Sequence, residues 1–82
     1  MNFLKLTTIT KNFHRVDIGE ISLWFSYNIL VGFKSQYNLT YVCKKKYSST
    51  TTAHIHRIPC INYTLNEVDW NGLLEQLGEM RP

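Results

Sequence analysis

The sequence predicts an α+β domain in which a three- to four-stranded antiparallel β-sheet is followed by a short Ser/Thr-capped helix and a C-terminal amphipathic helix. From residue 13 to residue 44, apolar and polar residues alternate with a period of two, which is typical of strands. The connections between these segments are short, and this favours antiparallel neighbours. Beyond residue 62, apolar residues recur at helical spacing.

Four strands are predicted, over residues 13–18, 21–27, 29–34 and 39–44. Gly19 and Glu20 form a tight turn between the first two. One face of the second strand should lie toward the core, because it carries Ile21, Leu23, Phe25 and Tyr27. Trp24 then falls on the opposite face, where it either belongs to a second covered side or is an exposed stacking ring.

Two helices are predicted after the sheet. The first has Ser48 or Ser49 as its N-cap and runs from Thr50 to Ile58, ahead of Pro59. The second begins after Asn66 and ends at Gly78. Its apolar stripe should pack on the sheet, or form the seam of a homodimer, through Trp70, Leu73, Leu74 and Leu77.

Length and charge predict one domain with an uneven charge distribution. Its 82 residues divide into an N-terminal segment (1–12), the sheet with the short helix (13–58) and an acidic C-terminal helix (62–82). Residues 1–61 carry eight basic and two acidic side chains, a net +6, whereas residues 62–82 carry one basic and four acidic, a net −3. A basic body of this kind indicates polyanionic partners.

Composition argues against secretion and against membrane insertion. The two cysteines, Cys43 and Cys60, are too few for a disulfide framework, and we interpret both as small buried hydrophobic residues. No segment approaches the roughly 20 apolar residues that a spanning helix needs. We therefore expect a cytoplasmic protein without membrane contacts.

Four motifs between residues 25 and 55 form a recognisable pattern: Phe25-Ser26-Tyr27, the strand with Val31 and Phe33, Tyr47-Ser48-Ser49-Thr50-Thr51, and His54-Ile55. This pattern resembles an uncharacterised family of short domains encoded by phages, prophages and other mobile elements. The resemblance extends from about Val16 to Ile58, with residues 62–82 outside it, and Tyr47 stands where such sequences more often carry tryptophan. It implies a phage-type accessory protein of unknown activity in the bacterial host, with no catalytic residue to carry over.

The segment from Lys44 to Arg57 is the predicted binding surface for nucleic acid or another partner. Its candidate residues are Lys44, Lys45, Lys46, Tyr47, Ser48, Ser49, Thr50, Thr51 and Arg57. The cations would contact phosphates, Tyr47 or Trp24 would stack on bases, and the helix start would receive a phosphate. Two structural alternatives remain open, namely a solvated lysine turn, and a serine cap with His54 tying the helix to the sheet.

Metal binding and catalysis are not predicted. His54 and His56 would point in nearly opposite directions on a helix, and no second cysteine pair completes a zinc site with Cys60 and either Cys43 or His14. A serine paired with His54 lacks an acid to orient the imidazole. We therefore expect no enzyme activity and no cofactor.

The predicted function is binding, most directly to nucleic acid or to a nucleic-acid-processing complex. The alternative is a protein-binding inhibitor of a host defence nuclease, such as an anti-CRISPR protein. Such an inhibitor would use either the basic body or the acidic helix, whose carboxylates are Glu67, Asp69, Glu75 and Glu79.

Overall fold

The chain forms an α+β fold with one six-stranded mixed sheet and two helices. The computed structural model describes residues 4–79. The elements are β1 (Leu4–Thr10), β2 (Phe13–Ile18), β3 (Ile21–Ser26), β4 (Ile29–Lys34), β5 (Thr40–Cys43), α1 (Ser49–Ile55), β6 (Tyr63–Leu65) and α2 (Glu67–Glu79). The strands lie side by side in the order β1 to β6.

The α+β class is confirmed, but the predicted number of strands is wrong. The four predicted strands correspond to β2–β5, which pair antiparallel in sequence order. β1 adds an antiparallel edge strand, and β6 pairs parallel with β5 after the chain returns through α1. β1 is largely exposed, so burial leaves no clear pattern of apolar residues in its sequence. β6 has only three residues, which are too few to show a period.

Both faces of the sheet are covered by a helix. α1 covers the first face over a cluster of Phe13, Trp24, Val31, Val42, Ile55 and Ile58. α2 covers the second face, where Trp70 packs with Phe33 and Cys43. The side of β3 that carries Trp24 is therefore the more deeply buried one, while Tyr27, which was expected in the core, is exposed.

Helix α1 is shorter than predicted and ends at Ile55 rather than Ile58. Ser48 is its N-cap, as predicted, and the Ser48 side chain accepts a hydrogen bond from the backbone N–H of Thr51. The chain then turns tightly, with the Ile58 N–H donating to the carbonyl of Ile55. The residue before a proline disfavours the helical region, which accounts for Ile58 lying outside the helix. Ile58 still reaches the sheet, because Gly32 leaves it room: a Cβ there would lie 2.8 Å from Ile58 Cδ1.

Helix α2 follows the predicted pattern closely. The Asn66 side chain accepts a hydrogen bond from the Asp69 N–H at 2.8 Å, which confirms it as the N-cap. Trp70 is 4% exposed and lies 5.6 Å from the ring of Phe33. Leu73 and Leu74 pack against the same cluster. Three of the four residues of the predicted stripe therefore pack on the sheet of their own chain, and the fourth, Leu77, is half-buried.

Part of the second face lies beyond α2 and carries exposed apolar side chains. Leu6 lies opposite Val16 on β2, and Val16 in turn lies opposite Leu23 on β3. Leu4 lies opposite Ile18, so these side chains share the face on which Leu23 packs. Leu4 is 73% and Leu6 66% exposed. We call Leu4, Leu6, Val16 and Ile18 the apolar edge patch.

Candidate functional site

The structure places the predicted cations at the two ends of α1. Lys44, Lys45 and Lys46 lie exposed in the loop between β5 and α1, and Arg57 lies exposed in the turn that follows the helix. A helix of seven residues is about 10 Å long. The lysine loop and Arg57 are therefore within reach of one extended ligand.

One of these cations is engaged by the acidic helix. Lys45 Nζ lies 3.3 Å from Glu67 Oε1, and both side chains are about half exposed. Among residues 4–79, Lys44, Lys46 and Arg57 form no ion pair. These three cations, which we call the basic loop surface, keep their charge available to a partner.

Of the two predicted stacking rings, Trp24 is wrong because it belongs to the core, and Tyr47 is half-buried against the core. Trp24 is only 2% exposed, and Tyr47 packs against both core clusters. Burial, together with a hydrogen bond to Cys43 and the negative charge of Glu67, raises the pKa of the Tyr47 phenol. Tyr63 on β6, 47% exposed and stacked on Tyr41, presents a ring beside the strand that leads to Lys44.

The Ser/Thr block docks α1 on the sheet through a buried network. The Ser26 hydroxyl donates to Thr51 Oγ1 at 3.0 Å and lies 2.7 Å from His54 Nδ1. The contact with His54 is a hydrogen bond whose direction follows the tautomer of the imidazole, and in either direction it joins α1 to β3. The His54 ring also stacks on Phe13 with centroids 4.8 Å apart. The structural alternative, in which His54 ties the helix to the sheet, is thus confirmed, and we assign no phosphate site to the start of this short helix.

A cavity on the first face brings together polar residues that the sequence did not connect. It has a volume of about 280 Å³ and is lined by Arg15, Ser22, Trp24, Lys34, Asn38, Thr40, Pro59 and Cys60. Pairing of the strands explains the assembly, since Arg15 lies opposite Trp24, and Lys34 lies opposite both Ser22 and Thr40. We call it the Trp24 cavity.

Two buried polar atoms among the residues that line the Trp24 cavity lack partners. Within the described residues, neither Trp24 Nε1 nor Thr40 Oγ1 has a hydrogen-bond partner. The backbone of Thr40 is fixed on both sides: its N–H donates to Asn62 Oδ1 at 2.7 Å, and its carbonyl accepts from the N–H of Asn62. Buried polar atoms are paired in the great majority of cases, so two exceptions around one cavity are informative.

A carboxylate beside the cavity is already engaged. Asp17 accepts hydrogen bonds from Ser22 Oγ at 2.6 Å and from Arg15 Nε at 3.0 Å. Partial burial acts to raise the pKa of Asp17, but these two bonds and the charges of Arg15 and Lys5 outweigh it and hold that pKa below its ordinary value. Asp17 therefore stays ionised, and it orients Arg15 and Ser22 next to the cavity.

The residues weighed for zinc lie apart. His54 is buried and bonded to Ser26, whereas His56 is exposed. Cys43 is buried as predicted, but the prediction that Cys60 is buried is wrong, because Cys60 lies exposed in the loop after Pro59. In residues 4–79, no group of three or more His, Cys, Asp or Glu side chains is placed to hold a metal ion.

Neither helix in this part of the chain is long and apolar enough to cross a membrane.

In a comparison with protein families, the model described as "Family of unknown function (DUF8033)" matches residues 3–69. The chain belongs to this family. The expectation of an uncharacterised family is thus met, but the predicted limits were too narrow. The DUF8033 match takes in β1, β6 and the first residues of α2, so residues 62–69 lie inside it. No curated protein and no solved structure matches the chain.

Proposed function

We propose that this DUF8033 member is a small non-enzymatic accessory protein that binds nucleic acid, or a nucleic-acid-processing complex, through the basic loop surface. The observation that carries the proposal is that Lys44, Lys46 and Arg57 are exposed and unpaired among the described residues. Exposed cations combined with exposed aromatic rings are how single strands are bound without sequence preference. Tyr63 offers such a ring on β6, two residues before Leu65, whose carbonyl accepts the N–H of Lys44. The resemblance to mobile-element domains makes the cytoplasm of a bacterial host the proposed setting.

Charge reversal at Lys44 and Lys46 should abolish this binding. We expect Lys44→Glu with Lys46→Glu to weaken binding to a labelled dT oligonucleotide at least about tenfold at low salt. The slope of log K against log salt should fall by about 1.4, since each single-strand phosphate contact contributes about 0.7. Fluorescence anisotropy across a salt series measures both quantities.

A matched control changes the net charge equally at the opposite edge of the sheet. Lys5 lies on the edge strand β1, and Lys11 lies in the turn that follows it. Lys5→Glu with Lys11→Glu should leave most of the affinity intact. Equal losses in the two double variants would contradict a localised surface, and wild-type protein that binds neither DNA nor RNA at low salt would reject the proposal.

Removal of the Glu67 carboxylate should strengthen the same binding. Glu67→Gln releases Lys45 from its ion pair and adds a fourth available cation. The affinity for the oligonucleotide should rise a few-fold, and the salt slope should steepen by about 0.7. Glu75→Gln on the same helix is the control, with the same charge change farther along α2. A gain of the same size at Glu75 would show only a general effect of net charge.

The apolar edge patch supports a second candidate function, binding to a protein. Exposed apolar surface that gathers on one face is typical of protein contact sites, and Leu4 and Leu6 are among the most exposed apolar residues described. The chain would then act as an inhibitor with a host defence nuclease as its partner, or would bind a second copy of itself. A purified protein partner should still bind the chain after any nucleic acid has been digested. Leu4→Ser with Leu6→Ser should abolish this binding, whereas Lys44→Glu with Lys46→Glu should not.

A further inference from the structure

We propose that the Trp24 cavity is a binding site for a phosphate-type oxyanion. None of the three cations of the basic loop surface lines this cavity. Thr40 and Lys44 lie at opposite ends of the segment that contains β5, about 13 Å apart at the rise of an extended strand. The inference therefore goes beyond the proposed function and does not depend on it.

The polar groups around the cavity are suited to an anion. The indole Nε1–H of Trp24 can only donate. The side chains of Arg15 and Lys34 are positively charged, and they too contain only hydrogen-bond donors and no acceptor atom. The hydroxyl of Thr40 and the amide of Asn38 can donate as well. A cation would meet two positive charges here, while the neighbouring carboxylate, Asp17, is already held by Arg15 and Ser22.

The unpaired atoms point to a ligand that brings acceptor oxygens. Trp24 Nε1 and Thr40 Oγ1 are both buried, and neither has a partner among residues 4–79. A phosphate presents several acceptor oxygens in different directions, so one group can serve donors from β3, β4 and β5 together. The cavity volume of about 280 Å³ accommodates such a group, since a water molecule occupies about 30 Å³ in the liquid.

The donors stand on the sheet and are held in place. Arg15, Trp24 and Lys34 lie on three adjacent strands, and pairing fixes their relative positions. Asp17 fixes the guanidinium of Arg15 by the bond from Nε, and two hydrogen bonds to Asn62 fix Thr40. A site whose groups are positioned before binding loses less conformational freedom when the ligand arrives.

The two tryptophans of the chain provide a direct readout. The ¹H–¹⁵N spectrum of the labelled protein contains two indole signals, from Trp24 and Trp70, which a Trp70→Phe variant assigns. Titration with inorganic phosphate should shift the Trp24 signal saturably and leave that of Trp70 in place. Sodium chloride at matched ionic strength is the control. A Trp24 signal that does not move, or that moves equally with chloride, overturns the proposal and leaves only water for the cavity.

Variants separate an anion site from a merely structural pocket. Thr40→Val removes a hydroxyl without a partner, so it should not destabilise the fold, yet it should weaken phosphate binding about tenfold. Lys34→Gln should weaken it by a similar factor, whereas Lys46→Gln, outside the cavity, should not. Unchanged affinity in both Thr40→Val and Lys34→Gln would overturn the assignment.

Two further arms identify where the phosphate group comes from. A nucleoside monophosphate and the dT oligonucleotide are titrated against the same Trp24 signal. A shift with the monophosphate supports a site for small phosphorylated ligands, and a shift with the oligonucleotide supports a site for a strand. Because Lys44→Glu with Lys46→Glu should leave the inorganic phosphate titration unchanged, failure of the proposed nucleic-acid function is distinguishable from failure of the cavity.

Discussion

Replacement of Trp70 by alanine should lower the free energy of unfolding by about 3–5 kcal/mol, the usual cost of truncating a buried aromatic side chain. Trp70 is 4% exposed and is the residue of α2 that enters the buried cluster with Phe33 and Cys43. Its loss leaves a void between the helix and β4–β5. Small domains have little stability to spare, so a large part of the population should unfold.

The measurement is urea denaturation followed by circular dichroism, with Trp70→Phe as a graded variant. Trp70→Phe keeps a ring against Phe33 and should lie between wild type and Trp70→Ala. Val68→Ala is the matched control on the same helix, because Val68 is 79% exposed, and it should change stability by no more than about 0.5 kcal/mol. If Trp70→Ala and Val68→Ala cost the same, α2 does not stabilise the sheet as described.

The parts of the fold that the sequence predicts are those with a local signal. β2 and β4 begin and end where alternation of apolar residues places them. The start of helix α2 after Asn66 could also be predicted, because an asparagine cap and an acidic first turn are properties of neighbouring residues. Local propensity and tertiary packing agree in these elements, so either one is sufficient to find them.

The parts that were missed depend on pairing between distant segments. Period two places Trp24 with Ser22 and Ser26 on one face of β3, but it does not say which face is more deeply covered. Docking of α1 through His54 decides this, and the hydrogen bond spans 28 positions in sequence. The same limit hid β6, which pairs with β5 only after the chain has passed through α1.

The candidate site was predicted in its exposed part and missed in its buried part. A run of lysines is visible in any sequence, and Lys44 and Lys46 are exposed as expected. The Trp24 cavity has no contiguous motif, since strand register alone brings Arg15, Lys34 and Thr40 to one place. A one-residue change of register would have sent each side chain to the other face. The signal that identifies it is the pair of unsatisfied buried atoms, which exists only in three dimensions.

Replacement of Ser26 by alanine should lower the free energy of unfolding by about 1–3 kcal/mol, although it removes a single oxygen atom. Ser26 is fully buried, and its hydroxyl joins Thr51 and His54 of α1 to β3. Without it, the Nδ1 atom of His54 is buried without this hydrogen-bond partner, and that desolvation cost is the physical reason for the loss. Thr52→Ala, at an exposed position of the same helix, is the control and should be close to neutral.

A double-mutant cycle decides whether the loss comes from this hydrogen bond or from packing. His54→Phe removes the ring nitrogen that bonds Ser26 and keeps an aromatic ring to stack on Phe13. When Ser26→Ala is combined with His54→Phe, it no longer strands a ring nitrogen, so its cost should fall by about 1 kcal/mol or more. Urea denaturation of the four proteins gives the coupling energy. If the changes in the free energy of unfolding from the two substitutions add to within about 0.5 kcal/mol, Ser26 and His54 do not couple. In that case α1 is held on the sheet by its apolar contacts alone.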